Sequence, residues 1–121
     1  MWLTVLKNAV YTGPASLLVT AVMGTLSLLV SLFSSTGYTQ HHMSRIWSRI
    51  ILRIAGVKVV ATGLEKIPPG GSFVFIANHR SYFDVPVILP FISLQIRFLA
   101  SQDLFSWPFI GFHLRRAGHI P

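Results

Sequence analysis

The sequence has 121 residues, and its ten Lys or Arg residues against three Asp or Glu residues give a net charge of +7. Only 11% of the residues are charged, whereas ordinary soluble domains have about 25%. High apolarity with strong positive charge favours a membrane-associated protein over a nucleic-acid binder, and the absence of cysteine excludes disulfides, thiolate chemistry and Cys-based zinc sites.

A long uncharged segment comes first in the chain. No charged side chain occurs between Asn8 and Gln40, and its centre, residues 15–33, approaches the roughly 20 apolar residues that cross a bilayer as a helix. We therefore predict a transmembrane or deeply inserted helix. The alternative is a cleaved signal peptide with Lys7 as its basic region, but no A-x-A-like cleavage site follows. Basic residues after the segment place the rest of the chain in the cytoplasm by the positive-inside rule.

The next segment has a basic and an apolar face. Arg45, Arg49 and Arg53 recur every fourth residue and so share one side of a helix. Leu52 falls on this side as an exception. The opposite side carries Met43, Ile46, Trp47, Ile50 and Ile54. We predict that Arg45, Trp47, Arg49 and Arg53 bind a membrane interface. The alternative is a helix packed on its own domain with a solvated basic face.

Three later segments have the composition of β-strands. After Gly56 ends the helix, residues 57–61 and 72–77 are rich in β-branched or aromatic side chains, and residues 97–100 are a third strand candidate. The second is apolar throughout, which predicts a strand covered on both faces in a parallel or mixed sheet. A helix after Asp84 is shortened by Pro90.

These elements predict an α/β fold in two parts. Residues 1–55 form a membrane-anchoring helical pair, and residues 56–121 form the first part of a mixed sheet flanked by helices. The last residues resemble the start of another strand, so we expect the sequence to be a fragment of a longer protein. About 65 residues is also small for an independent core.

His79 and Asp84 are the candidate catalytic residues. They lie five positions apart, directly after the apolar segment 72–77. A histidine acts as a base near neutral pH when a carboxylate fixes its tautomer and orientation. Open α/β sheets place their sites at the carboxyl ends of strands, where this turn is predicted. The alternative is that Asp84 caps a helix and His79 is a loop residue.

The same run carries a family resemblance. Residues 78–84, Asn-His-Arg-Ser-Tyr-Phe-Asp, resemble the N-H-x-x-x-x-D block of the glycerolipid acyltransferases, in particular the 1-acyl-glycerol-3-phosphate acyltransferases. Further similarity lies in residues 57–63, 104–111 and 115–118. The preceding hydrophobic and amphipathic helices also resemble the family's membrane-embedded N-terminal motif.

The resemblance implies direct acyl transfer without a covalent enzyme intermediate, and we expect no cofactor or metal. His79 would deprotonate the free hydroxyl of a lysophospholipid, such as lysophosphatidic acid, and Asp84 would orient the imidazole. The alkoxide would then attack the thioester of acyl-CoA or acyl-carrier protein, giving phosphatidic acid. Asn78, Arg80 and Ser81 would be weaker substrate contacts. In the family, the arginines that bind the acceptor phosphate lie farther along the sequence than the position that matches Pro121. We therefore expect these 121 residues alone to be inactive.

One other interpretation remains open. The chain is alternatively a non-catalytic membrane-anchored module that binds lipid or a partner, with the His–Asp pair structural. His41 and His42 lack a third ligand at zinc-like spacing. His113 and His119 are isolated in sequence, so we predict no metal site.

Overall fold

The computed structural model describes residues 1–34, 36–78, 80–81 and 83–121. This part of the chain contains six α-helices: α1 Trp2–Lys7, α2 Gly13–Ser31, α3 Tyr38–Ala55, α4 Asp84–Ile88, α5 Gln102–Ser106 and α6 Ile110–Ala117. A 3₁₀ turn, Leu64–Lys66, lies between α3 and α4.

The predicted apolar helix is present and begins earlier than predicted. A π-helical turn, Asn8–Thr12, joins α1 to α2, so that Trp2–Ser31 is one helix of 30 residues. Pro14 directly follows this turn at the start of α2. A proline removes one backbone hydrogen bond, and its ring crowds the carbonyl four residues earlier. The wider π-helical turn makes room for the ring of Pro14. By length and composition the helix is able to cross a membrane.

A tight turn sends α3 back along α2. Gly37 precedes α3 in the left-handed region, with φ of 75°. A Cβ on Gly37 would lie 2.9 Å from the carbonyl oxygen of Ala117, so this turn packs against the end of α6. Farther along, the Trp47 indole N–H donates to the Thr20 hydroxyl over 3.0 Å. The two helices therefore form an antiparallel hairpin.

The buried side of α3 differs from the predicted apolar face. Its buried residues are Gln40, Ser48, Ile51 and Leu52, whereas Ile46 is exposed. Leu52, assigned from the sequence to the polar side, belongs to the core. Ser48 satisfies its own hydroxyl by donating to the Ser44 carbonyl over 2.7 Å, so its burial leaves no polar group without a partner.

The prediction of a mixed sheet is wrong for the residues that the structure describes. Residues 57–61 and 72–77 are extended without forming strands, and pairing is limited to a parallel bridge between Leu99 and Ile120. The prediction that residues 72–77 are covered on both faces is also wrong, since Val74 is 90% and Ile76 95% exposed. A strand exists only when a second segment satisfies its backbone groups, and local composition does not supply that partner.

The segments after residue 83 pack on the helical hairpin. Helix α4 lies against α3, and α6 contacts both α2 and α3. The predicted short helix after Asp84 is confirmed. The Arg45 guanidinium extends this contact by donating to the carbonyls of Ile92 and Leu94. The buried apolar residues of the described core are Ile51, Leu52, Leu89, Phe105 and Ala117.

We predict that Gly37→Ala lowers the free energy of unfolding by about 1–3 kcal/mol, because an L-residue is strained at this φ and its Cβ would collide with Ala117. Gly24→Ala is the matched control: among the described atoms nothing lies within 4 Å of its added Cβ. In mid-helix that change stabilises by about 0.5–1 kcal/mol. Denaturant unfolding of both variants measures the difference, and equal effects would contradict the packed turn.

Candidate active site

The loop before α4 folds around the Asp84 carboxylate. Its Oδ2 accepts hydrogen bonds from the backbone N–H of Arg80, over 2.8 Å, and of Ser81, over 3.0 Å. The Ser81 hydroxyl accepts from the N–H of Phe83 over 3.1 Å, and the Asp84 N–H donates to the Ser81 carbonyl. These bonds fix the carboxylate relative to the loop that precedes it.

This geometry gives Asp84 a different role from a helix cap. Asp84 is the first residue of α4, and its carboxylate reaches back to loop amides instead of forward to the N–H groups of its own helix. Asn78, Arg80 and Ser81 are exposed to solvent. His79 lies outside the described residues, so its predicted contact with Asp84 stays a prediction.

The predicted membrane-binding residues occupy two environments. Arg49 and Arg53 are exposed on α3. The Arg45 guanidinium is directed to the carbonyls of Ile92 and Leu94, and the Trp47 indole to Thr20. The structure therefore does not bring the four side chains onto one exposed surface.

An apolar cavity of about 560 Å³ reaches the start of α4. Its walls come from α2, α3, α4 and α6, and Val85 and Leu89 of α4 are among them. Val85 follows Asp84 directly in the chain, so the loop that holds the carboxylate joins the cavity wall. Pockets lined mainly by apolar side chains with few polar groups are typical of small-molecule and lipid sites.

Three histidines line this cavity: His41 of α3, His113 of α6, and His119 just after α6. The His113 Nδ1 lies 3.4 Å from the Ser27 hydroxyl. The Nδ1 of His119 accepts the backbone N–H of Phe98 over 3.0 Å. Among the described residues, no group of three His, Cys, Asp or Glu side chains has the arrangement of a metal site.

These imidazoles favour the neutral form. Burial lowers the pKa of His113, and burial followed by the nearby Arg45 charge lowers that of His41. The pKa of His119 falls to about 4, first through burial and then through repulsion by His113, His41 and Arg97. The hydrogen bond acts in the same direction, because a protonated Nδ1 would face the N–H of Phe98.

Sequence reasoning missed this cluster. From the sequence, His41 and His42 form an adjacent pair without a third ligand, and His113 and His119 are isolated. His41 lies far in sequence from His113 and His119, and it joins them only because the α2–α3 hairpin packs on α6. No spacing rule within one helix or loop identifies such a group.

Comparison with known proteins gives two matches. A family model described as Acyltransferase matches residues 58–121. The chain is also 30% identical over 78 residues to the 1-acyl-sn-glycerol-3-phosphate acyltransferase of Borreliella burgdorferi, across 64% of this chain and 31% of that protein. The chain thus spans about a third of the length of this relative. No solved structure gives a significant match.

We predict that acid destabilises this part of the protein through His119. Its folded-state pKa of about 4 lies below the ordinary 6.5, so the unfolded state binds the proton first. The stability from neutral His119 is complete above pH 6.5 and is lost as the pH falls towards 4. The loss is about 1–3 kcal/mol, allowing for partial exposure. Urea unfolding between pH 7 and 4 measures it.

The matched variants for this measurement are His119→Asn and His42→Asn. His119→Asn is expected to flatten the pH dependence, whereas His42→Asn, at an exposed position, is expected to retain the part that His119 contributes. If the free energy of unfolding changed equally with pH in both variants, the acid sensitivity would come from another group.

Proposed function

The chain belongs to the acyltransferase family, and we propose that it forms part of the active site of a membrane-bound 1-acylglycerol-3-phosphate O-acyltransferase. The proposed reaction transfers an acyl chain from acyl-CoA or acyl-carrier protein to the free hydroxyl of lysophosphatidic acid. The product is phosphatidic acid, a phospholipid precursor.

The observation that carries this proposal is the position of the Asp84 carboxylate. Two loop amides hold it, and the next residue, Val85, lines an apolar cavity of about 560 Å³. An acyl thioester needs an apolar space for its chain and polar groups beside its reacting carbonyl. In our proposal the acyl chain of the donor occupies the cavity, and its thioester group lies at the loop that holds the Asp84 carboxylate.

His79 is the proposed general base. Its imidazole removes the proton from the acceptor hydroxyl, and the oxygen forms a bond to the thioester carbon. The tetrahedral intermediate then loses the thiolate, which takes the proton from the imidazolium. The Asp84 carboxylate orients the imidazole and stabilises its charged form. General-base assistance of this kind contributes about 10²–10⁴-fold, and positioning supplies part of the remainder.

Two loop residues have positioning roles in this proposal. Arg80 and Ser81 hold Asp84 through their backbone N–H groups, so their side chains are not needed for that contact. Their side chains and that of Asn78 remain proposed, weaker substrate contacts at the exposed loop. Because the described loop is open to solvent, an acceptor headgroup reaches it from outside.

We also propose a membrane location with the acyltransferase part on the cytoplasmic side. The apolar helix Trp2–Ser31 supports membrane association. Its side chains include exposed Leu17, Leu18, Val22 and Leu29. A lysophospholipid acceptor is itself membrane-resident, so attachment places the site at its substrate.

We predict that His79→Ala and Asp84→Asn in the full-length protein each lower acyl transfer to lysophosphatidic acid by about 10²–10⁴-fold, because the base or its orienting charge is lost. Transfer of radiolabelled acyl chains from acyl-CoA measures the rate. Asp103→Asn is the matched control, since Asp103 is an exposed acid on α5. Normal turnover by His79→Ala would refute the base assignment.

We predict that Gly24→Leu shifts donor preference towards shorter acyl chains. Gly24 lines the cavity, and none of the described atoms lies within 4 Å of an added Cβ, so a larger side chain enters open space. Loss of a few methylene contacts lowers kcat/KM for a palmitoyl donor about 10–200-fold relative to a decanoyl donor. Val22→Leu, on the exposed side of the same helix, is the control. An unchanged preference in Gly24→Leu would remove the acyl chain from this cavity.

A further inference from the structure

Two of the imidazoles that line the apolar cavity leave one ring nitrogen unused. His113 and His119 both line the cavity. The Nδ1 of His113 lies 3.4 Å from the Ser27 hydroxyl, and the Nδ1 of His119 accepts the backbone N–H of Phe98 over 3.0 Å. Within the described part of the chain, the Nε2 atom of neither ring forms a hydrogen bond. These two Nε2 atoms are therefore polar groups left for a ligand in the cavity.

The hydrogen bond of His119 fixes its tautomer. Because Nδ1 accepts the Phe98 N–H, that atom carries no proton, and the neutral imidazole has its proton on Nε2. The pKa of about 4 keeps the ring neutral near pH 7. The ring also packs against the ring of Phe98, with 5.7 Å between the centroids. Both contacts hold the ring in one orientation, so the Nε2 N–H is a donor of fixed position.

His113 is oriented by a buried hydroxyl. Ser27 is only 4% exposed, and its hydroxyl contacts His113. Thr20 on the same helix instead donates to the carbonyl of Ser16, four residues earlier. If Ser27 donates to Nδ1, the His113 Nε2 carries the proton, and if Nδ1 donates to Ser27, the Nε2 is an acceptor. The His113 Nε2 therefore serves as a second polar contact in either tautomer.

The third histidine of the cavity does not belong to this pair. The Nε2 of His41 is buried and has no hydrogen-bond partner among the residues that the structure describes. Because this atom is closed off from the cavity, a ligand there does not reach it. His113 and His119 are near enough to each other for a charge on His113 to lower the pKa of His119.

An unsubstituted hydrocarbon chain does not satisfy these groups. It would cover the Nε2 N–H of His119 without giving it an acceptor, and a buried donor without a partner is costly. A hydroxyl on the chain removes this cost. Its oxygen accepts up to two hydrogen bonds and its proton donates one, so it fits either tautomer of His113. Sites that hydrogen-bond a substrate hydroxyl discriminate strongly against analogues that lack it.

We propose that the acyl donor is a hydroxylated acyl thioester, and that His119 and His113 bind the hydroxyl of its chain inside the cavity. The Nε2 proton of His119 is donated to the hydroxyl oxygen, and the Nε2 of His113 makes the second contact. Both histidines are specificity-determining residues and take no part in the transfer step. The inference rests on the proposed function, because it places the acyl chain in the same cavity.

A series of donors tests this specificity in the full-length protein. Palmitoyl thioesters of CoA and of acyl-carrier protein are compared with hydroxypalmitoyl thioesters that carry one hydroxyl at successive carbons. Because the two rings are fixed in the cavity wall, we expect one hydroxyl position to raise kcat/KM about 5–150-fold over the palmitoyl donor. This is the effect of giving one buried donor its partner.

The same series separates the inference from the function on which it rests. Transfer of all chains with equal kcat/KM, or a better rate for the palmitoyl donor, would overturn the inference and leave the acyltransferase proposal standing. Absence of transfer from every donor would overturn both.

Two variants test the assignment to the histidines. His119→Asn keeps a side-chain oxygen to accept the Phe98 N–H, but its amide ends short of the Nε2 position. His113→Phe keeps a ring without a polar atom, and it provides the test if His119→Asn fails to fold. We expect each variant to lose the preference for the hydroxylated donor and to retain transfer from the palmitoyl donor. His42→Asn, at an exposed position, is the control with the full preference. Retention of that preference in both cavity variants would overturn the assignment.

Discussion

The packing of α3 against α2 is the contact on which the rest of the described structure depends. It provides the surface for α4 and α6 and encloses one side of the apolar cavity. The turn at Gly37 is compact enough for the end of α6 to lie against it. Because the hairpin supplies both the long apolar helix and part of the cavity wall, the segment able to cross a membrane and the candidate site share one structural element.

The candidate site combines a hydrogen-bonded polar loop with an apolar cavity. Backbone amides hold Asp84, so its position depends on loop conformation more than on the identity of neighbouring side chains. The cavity contains His41, His113 and His119 in a setting that favours their neutral forms. Neutral imidazoles keep the space compatible with an uncharged hydrocarbon chain, whereas protonated ones would admit water and anions.

Local features were predictable from the sequence, and long-range pairing was not. The apolar helix, the end of α3 at Gly56 and the short α4 follow from hydropathy, a left-handed glycine and Pro90, all of which act within a few residues. The sheet failed as a prediction because strand formation needs a partner segment. Leu52 was predicted on the polar side of α3 but is buried. Which face of an amphipathic helix is buried depends on its contacts with the rest of the fold as well as on helical periodicity. Of the site, the motif was recognised, while the amides that hold Asp84 were visible only in the structure.

The exposed run at residues 73–76 has a consequence for handling the protein. Phe-Val-Phe-Ile is extended, uncharged and free of proline, and its side chains are exposed to solvent. Segments of this kind act as templates for intermolecular backbone pairing and for cross-β aggregation. These 121 residues in isolation would therefore self-associate through this run, and their solubility would depend on concentration and on a detergent or chaperone that shields it.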